Sequence, residues 1–156
     1  MIAVHNSHQP LLIVEDSDED FDLLQRFLKE ASLQNPIYRC LDGDEALAFL
    51  FHKGNYADPS VAPSPSLVLL DLNLPGTDGR EVIRQVKANE LLKVMPVVVL
   101  SSSSNPKDID FCYKVGVNSY YIKPTGLKKL RHLIQVLVEA WFDLAVLPEI
   151  SKSNLS

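Results

Sequence analysis

Cysteine is scarce in this chain: Cys40 and Cys112 are the only two among 156 residues. They lie far apart in apolar settings, which predicts two buried free thiols in a reducing compartment rather than a disulfide framework. Glycine is also sparse, with six residues, and no glycine-rich loop follows the first apolar run. That argues against the backbone cradle of a mononucleotide or flavin binder. No apolar run is long enough to span a bilayer. Met1 to Gln9 lack the apolar centre of a signal peptide, so the expectation is a cytoplasmic protein without membrane attachment. Positive charge is in deficit: 15 Lys and Arg stand against 20 Asp and Glu, a formal net charge of -5. Phosphate contacts supply most nucleic-acid affinity, so direct binding to nucleic acid is not expected. The histidines (His5, His8, His52, His132) and the two cysteines share no zinc-ligand spacing.

What remains suits one domain with a real core: 46% hydrophobic and 22% charged residues. Leu11-Leu12-Ile13-Val14 is a short apolar run bounded by turn signals, the mark of a buried strand. Ser17 to Asp20 offer N-caps and first-turn acids, and Phe21, Leu24, Phe27, Leu28 and Ala31 continue at helical spacing to about Leu33. Asn35-Pro36 ends that helix. Ile37 to Cys40 predicts a strand, and Ala46, Leu47, Leu50 and Phe51 a helix. His52 to Ser66, with Gly54, Pro59, Pro63 and Pro65, predicts a long surface loop. Three more strand and helix pairs follow: Leu67–Leu70 before Val82, Ile83 and Val86; Val97–Leu100 before Ile109, Cys112 and Val115; and Tyr120–Ile122 before a helix from about Thr125 to Leu144. Strands alternating with helices predict a parallel sheet covered on both faces. The expected organisation is an N-terminal extension over 1–9, a domain over 10–147 and a flexible tail over 148–156. Pro148 closes the ordered chain, and the Lys123–Pro124 bond is a candidate for the cis form.

The strand ends carry the chemistry. In a parallel sheet they share one edge, where open α/β sheets place their ligands. The first strand ends in Glu15-Asp16, the third in Asp71, the fourth in Ser101 and the fifth in Lys123. Any one of these has an ordinary explanation as a cap, a dipole partner or a surface lysine. Three carboxylates together repel one another, and a hard divalent cation removes the conflict. Mg²⁺ is the expected cofactor. Asp16 and Asp71 would be direct ligands, Glu15 would act through a bound water, and the backbone carbonyl of Asn73 lies within reach. Lys123 supplies a compact charge for a phosphoryl oxygen. These groups suit transfer of a phosphoryl group to Asp71, with a hydrogen bond from Ser101 to the product. Asn73 and Ser103 are expected to flank the phosphate.

The combination of Glu15-Asp16, Asp71-Leu72-Asn73-Leu74-Pro75-Gly76, Ser101 and Lys123-Pro124 resembles a two-component response regulator receiver domain, over roughly Pro10 to Leu144. The resemblance implies a flavodoxin-like doubly wound sheet of order 2-1-3-4-5. It implies phosphotransfer from a histidine kinase to Asp71, and a switch aromatic at Tyr120. Two positions depart from the common pattern: Glu15 where Asp is frequent, and Ser101 where Thr is frequent. Each keeps its functional group. The proline-rich loop, the turn after Asp71 and the apolar end of the last helix resemble the small stand-alone regulators paired with cyanobacterial phytochromes. A receiver of this kind accepts a phosphoryl group and is not classed as an enzyme, although it promotes its own phosphotransfer and dephosphorylation.

Two rival readings use the same residues. A degenerate receiver would be an unphosphorylated binding module, which the complete set of acids, hydroxyl and lysine speaks against. An aspartate-nucleophile phosphohydrolase needs a second Asp two residues on, where this chain has Asn73. No effector domain is expected after the last helix, so the receiver itself must be the output surface, a shuttle or a phosphate sink. Leu130, Leu133, Ile134, Leu137 and Trp141 form one stripe of that helix, and Val136, Val138, Ala140, Phe142 and Ala145 spill beyond it. This excess predicts either a homodimer through the fourth helix, fifth strand and last helix, or a cover formed by Leu144 to Ile150 folding back.

Overall fold

Short uninterrupted apolar runs decide the architecture. In the computed structural model, which describes residues 9–150, the strands are β1 (Leu11–Val14), β2 (Ile37–Cys40), β3 (Leu67–Leu70), β4 (Val97–Ser101) and β5 (Ser119–Ile122). They form one sheet of order β2-β1-β3-β4-β5 with every pair parallel. The central strands β1, β3 and β4 are buried throughout, while the edge strands are only partly covered. Successive side chains point to opposite faces. Leu12, Val14, Val68, Leu70, Val97 and Val99 therefore join one core, and Leu11, Ile13, Leu67, Leu69, Val98 and Leu100 the other.

The first core is closed by α2 (Gly43–Phe51), α3 (Gly79–Ala88) and α4 (Pro106–Val115) through Phe49, Leu50, Val82, Ile83, Val86 and Cys112. The second is closed by α1 (Asp18–Glu30) and α5 (Leu127–Val138) through Leu24, Phe27, Leu28, Ile134, Leu137 and Val138. Four of these helices start on a side-chain cap that accepts a backbone N–H: Ser17, Asp42, Asp78 and Asn105. Ser17 and Asp42 sit within three residues of a strand end, so each also fixes where its strand-to-helix loop turns.

Register brings the carboxyl ends into one row. Val14 pairs with Leu70, and the N–H of Asp71 donates to the Val14 carbonyl at 3.2 Å. Ser101 pairs with Ile122, and the N–H of Lys123 donates to the Ser101 carbonyl at 2.8 Å. The expected parallel sheet, its order 2-1-3-4-5 and its flavodoxin-like winding are all present.

Several boundaries differ from expectation. α1 stops at Glu30 rather than near Leu33, because Ser32 takes a positive φ of 63°. No peptide bond among the described residues is cis, so Lys123–Pro124 is trans. The loop over 52–66 is pinned rather than loose. Ala62 is fully buried, the His52 ring meets the Ala62 carbonyl at 2.8 Å, and Tyr56 packs on Phe49. The last helix widens into π-type turns over Glu139–Leu144. The chain then turns back, burying Leu147 in the core beside α1 and α5 and Ile150 in the opposite one. Trp141, Phe142 and Ala145 pack against that returning segment's core, while Val136, Leu144 and Val146 stay exposed. Of the expected apolar excess, Val138 is buried, Phe142 and Ala145 are half-buried, and Val136 and Ala140 are exposed; packing continues past Pro148. Residues 1–8 of the expected extension and 151–156 of the expected tail lie outside the described residues. No helix among the described residues is long and apolar enough to cross a membrane.

Both cysteines are free and buried. Burial raises each thiol pKa, that of Cys112 to about 11. A thiol-reactive chromophore at pH 8 is expected to leave both unmodified in the native protein and to count two per chain after denaturation. The returning segment is expected to contribute to stability: Leu147→Ala should lower the unfolding free energy by about 2 kcal/mol in a urea titration, the low end for a buried leucine truncation.

Candidate functional site

The row of strand ends collects five functional side chains. Glu15 and Asp16 follow β1, Asp71 follows β3, Ser101 is the last residue of β4, and Lys123 follows β5. Lys123 lies among acids. Its Nζ donates to Glu15 Oε1 at 2.6 Å, Asp71 Oδ2 at 3.1 Å and Asp20 Oδ2 at 3.2 Å. Glu15 is almost fully buried, at 2% exposure. Its other oxygen accepts the Ser17 N–H at 3.3 Å. The second oxygen of Asp71 accepts the Asn73 N–H at 3.2 Å, so the turn after β3 orients the carboxylate.

Burial is the largest influence on Glu15, and it raises the carboxyl pKa against the opposing hydrogen bond and charge of Lys123. Burial pulls the other way on the Lys123 ammonium. There the hydrogen bond to Glu15 and the charge of Asp71 outweigh it, and the pKa lies above the ordinary lysine value. Lys123 therefore stays charged across the physiological range.

One carboxylate oxygen from each of Glu15, Asp16 and Asp71 lies within 4.8 Å of the others. Asp16 is exposed and Asp71 only partly covered, which leaves an open side for water ligands. An all-oxygen set with room for water fits a small hard divalent cation. The residues present therefore fit the expected metal. Arg39, which the sequence did not single out, braces this corner. Its Nε donates to the Glu15 carbonyl at 3.1 Å, its NH1 pairs with Asp18 at 2.8 Å, and its guanidinium lies 4.5 Å from the Phe21 ring centroid.

The Asp71 turn is held from behind by Gly79, the first residue of α3. Its N–H donates to the Leu72 carbonyl at 2.9 Å. A Cβ there would stand 2.5 Å from the Asp71 carbonyl oxygen and 2.7 Å from Leu72 Cα. Only glycine lets the helix start approach the loop this closely.

On the other side, Ser101 is fully buried, and its Oγ accepts the Ser103 N–H at 3.2 Å. The Tyr120 hydroxyl donates to the Ser103 carbonyl at 2.8 Å, and its ring packs against the core beneath α2, α3 and α4. Tyr120 and Ser101 are thus mechanically joined through one loop. The Ser103 hydroxyl, in contrast, donates to Asp108 on α4 at 2.6 Å. Beside Lys123 a mostly apolar hollow of about 190 Å³ opens between α1 and the start of α5, lined by Leu23, Leu24, Pro124, Leu127 and Leu130 among others.

The structure brings together Glu15, Asp16, Asp71 and Lys123, with Ser101 on the adjoining strand end. It adds Asp20, Arg39, Gly79, Arg80 and Asp108 to the surroundings. Asp20 carried a weak signal, as one of the first-turn acids of α1. The basic residues carried none, because each acts on a loop distant in sequence.

Comparison with known proteins agrees with this arrangement. The family model for the response regulator receiver domain matches residues 11–135. The response regulator Rcp1 of Synechocystis is 41% identical over 143 residues, covering 92% of this chain and 95% of Rcp1. The crystal structure of the Mn²⁺-bound form of Rcp1 superposes with a TM-score of 0.84, covering 90% of this chain and 99% of that one at 41% identity. That of the phosphorylated cyanobacterial phytochrome response regulator RcpA superposes with a TM-score of 0.85, covering 91% and 99% at 40% identity. With the strand order, the acidic cluster and the lysine already in place, these matches establish that the chain belongs to the response regulator receiver domain family.

Proposed function

We propose that this protein is a phosphoacceptor regulator: Asp71 takes a phosphoryl group from the phosphohistidine of a histidine kinase, in a reaction dependent on Mg²⁺. The observation that carries this reading is the position of Asp71. Its carboxylate stands within 4.8 Å of Glu15 and Asp16 oxygens and 3.1 Å from the Lys123 ammonium. An Asp71 oxygen attacks phosphorus, a new O–P bond forms, and the P–N bond to the donor imidazole breaks. The departing nitrogen keeps the electron pair and takes a proton from solvent, leaving a neutral imidazole on the donor. Lys123 offsets charge on the equatorial oxygens, and Ser101 donates its hydroxyl to one of them. Glu15, Asp16, Asp71 and the Asn73 carbonyl would hold the cation, which supplies charge neutralisation at the phosphoryl oxygens when bound.

The new charge on Asp71, about -1.5 to -2, is the switching signal. The β4–α4 loop carries it outward, because Ser101, Ser103 and Tyr120 form one connected set. The donor kinase approaches over the hollow beside Lys123, whose leucines offer apolar contact next to Lys123 and Asp20. That the cyanobacterial phytochrome response regulator RcpA resembles this chain over nine-tenths of its length supports a phytochrome-type kinase as the donor. The output is an interaction face, and a homodimer through α4, β5 and α5 is the form proposed for it. Tyr113, Ile122 and Leu127 on those elements are exposed apolar side chains, as such a face requires.

Incubation with acetyl phosphate and Mg²⁺ is expected to add one phosphoryl mass to the intact protein. Chelation of the metal or Asp71→Asn should abolish the adduct, and an adduct surviving in Asp71→Asn would refute the assignment. Light scattering after size exclusion should give twice the chain mass at high micromolar concentration. A monomer with and without phosphorylation would exclude the homodimer.

A further inference from the structure

Two loops flank the site: β3–α3 carries Asp71, and β4–α4 follows Ser101. Away from the carboxylates, these loops are bridged by one ion pair. Arg80 on α3 donates from Nε to Asp108 Oδ1 on α4 at 2.8 Å. Its NH1 donates to both oxygens of Asp78, the α3 cap, at 2.9 and 3.0 Å. The second oxygen of Asp108 accepts the Ser103 hydroxyl at 2.6 Å.

Each end of this bridge reaches the site. Arg80 follows Gly79, whose N–H holds the Leu72 carbonyl next to Asp71 at 2.9 Å. Ser103 donates its N–H to Ser101 Oγ at 3.2 Å and takes the Tyr120 hydroxyl on its carbonyl at 2.8 Å. Its own Oγ also accepts the Asn105 N–H at 3.3 Å. The Ser103 backbone and hydroxyl are thus all engaged, so the loop has one well-defined seat. The pair is partly sheltered, with side-chain exposures of 30% for Arg80 and 17% for Asp108. Charge-assisted bonds in that setting outlast an ordinary surface ion pair.

We infer that the Arg80–Asp108 pair sets the spacing between Asp71 and Ser101, which makes both positioning residues for phosphoryl acceptance. The inference rests on the phosphoacceptor role proposed above. In-line transfer needs the attacking carboxylate and the stabilising hydroxyl at a fixed separation before reaction. Removing Asp108 takes the acceptor from the Ser103 hydroxyl, and removing Arg80 leaves Asp108 without its cation; either way the β4–α4 loop loses its tie to α3. The metal corner shares Asp71, but its turn is also held by the Asn73 and Gly79 N–H groups, and its other acids, Glu15 and Asp16, follow β1 with Arg39 behind them, so loss of the pair shifts the Ser101 side and leaves the metal ligands in place. The two therefore separate experimentally.

Wild type, Arg80→Met, Asp108→Ala and the double variant are compared in two assays. The first is the rate of phosphorylation by acetyl phosphate at saturating Mg²⁺, read by intact mass. The second is Mg²⁺ affinity of the unphosphorylated protein, read by calorimetry. Each single variant is expected to be phosphorylated about tenfold more slowly, the order expected when a reacting pair is misplaced by a fraction of an ångström. The double variant should lose no more than either single one, since the pair acts as a unit. Mg²⁺ affinity should be unchanged. Asp108→Asn keeps an acceptor for Ser103 but loses the charge that holds Arg80, and its rate should fall between. A wild-type rate in either single variant overturns the inference. So do losses that multiply in the double variant, or a parallel fall in Mg²⁺ affinity that marks general distortion. A wild type that takes no phosphate defeats the phosphoacceptor role and this inference with it, whereas a phosphorylated wild type with unaffected variants defeats the spacing role alone.

Discussion

Carboxylates on neighbouring strand ends cannot stand together unless positive charge lies among them, and here that charge is the Lys123 ammonium. It touches Glu15, Asp20 and Asp71 at once, from the end of a strand that is neighbour to neither β1 nor β3. Glu15 is almost without solvent. Its charge is costly there unless paired and hydrogen-bonded, and Lys123 with the Ser17 N–H supplies both. The rest of the molecule serves to deliver these groups to one place. Without that pairing, the closing of β1, β3 and β5 onto a common edge would concentrate like charge.

The delivery depends on short strands buried on both faces. Strands of four or five residues with both faces covered leave little slack in register, because a slip of one residue would exchange the two cores. Leu12 and Val14 would then face α1 and α5, whose apolar stripes match Leu11 and Ile13. Register in turn sets Asp71 beside Val14 and Lys123 beside Ser101. Core packing and site geometry are thus one constraint. The loops, free of that constraint, are fixed by local devices instead: the Asp78 and Asn105 caps, Gly79 against the Asp71 turn, and the Arg80–Asp108 bridge.

Much of this was legible in the residues. The apolar runs at Leu11–Val14 and Leu67–Leu70 read as buried strands because nothing polar interrupts them, and Ile37–Cys40 was legible from the break at Asn35-Pro36. The acids, hydroxyl and lysine were legible because each directly follows a strand, so alternation alone assigns them to one edge. The loop over 52–66 was legible as irregular, but its anchoring through Ala62, His52 and Tyr56 was not, since those contacts depend on how α2 lies against the sheet. The end of the last helix allowed two outcomes, a partner or a fold-back. Leu147 and Ile150 are buried by the returning chain, while Val136, Leu144 and Val146 stay exposed, so the fold-back does not take the place of a partner.

Sequence by itself determined which residues become strands, which helices they alternate with and which side chains stand at the strand ends, because period and punctuation are local properties. Only the tertiary structure decided which of those side chains meet. Asp20 joins Lys123 across 103 positions, Arg39 reaches the Glu15 carbonyl across 24, and Arg80 finds Asp108 across 28. Such pairings follow from the crossing of helices over a twisted sheet and from side-chain reach. Neither is written in the spacing of residues along the chain.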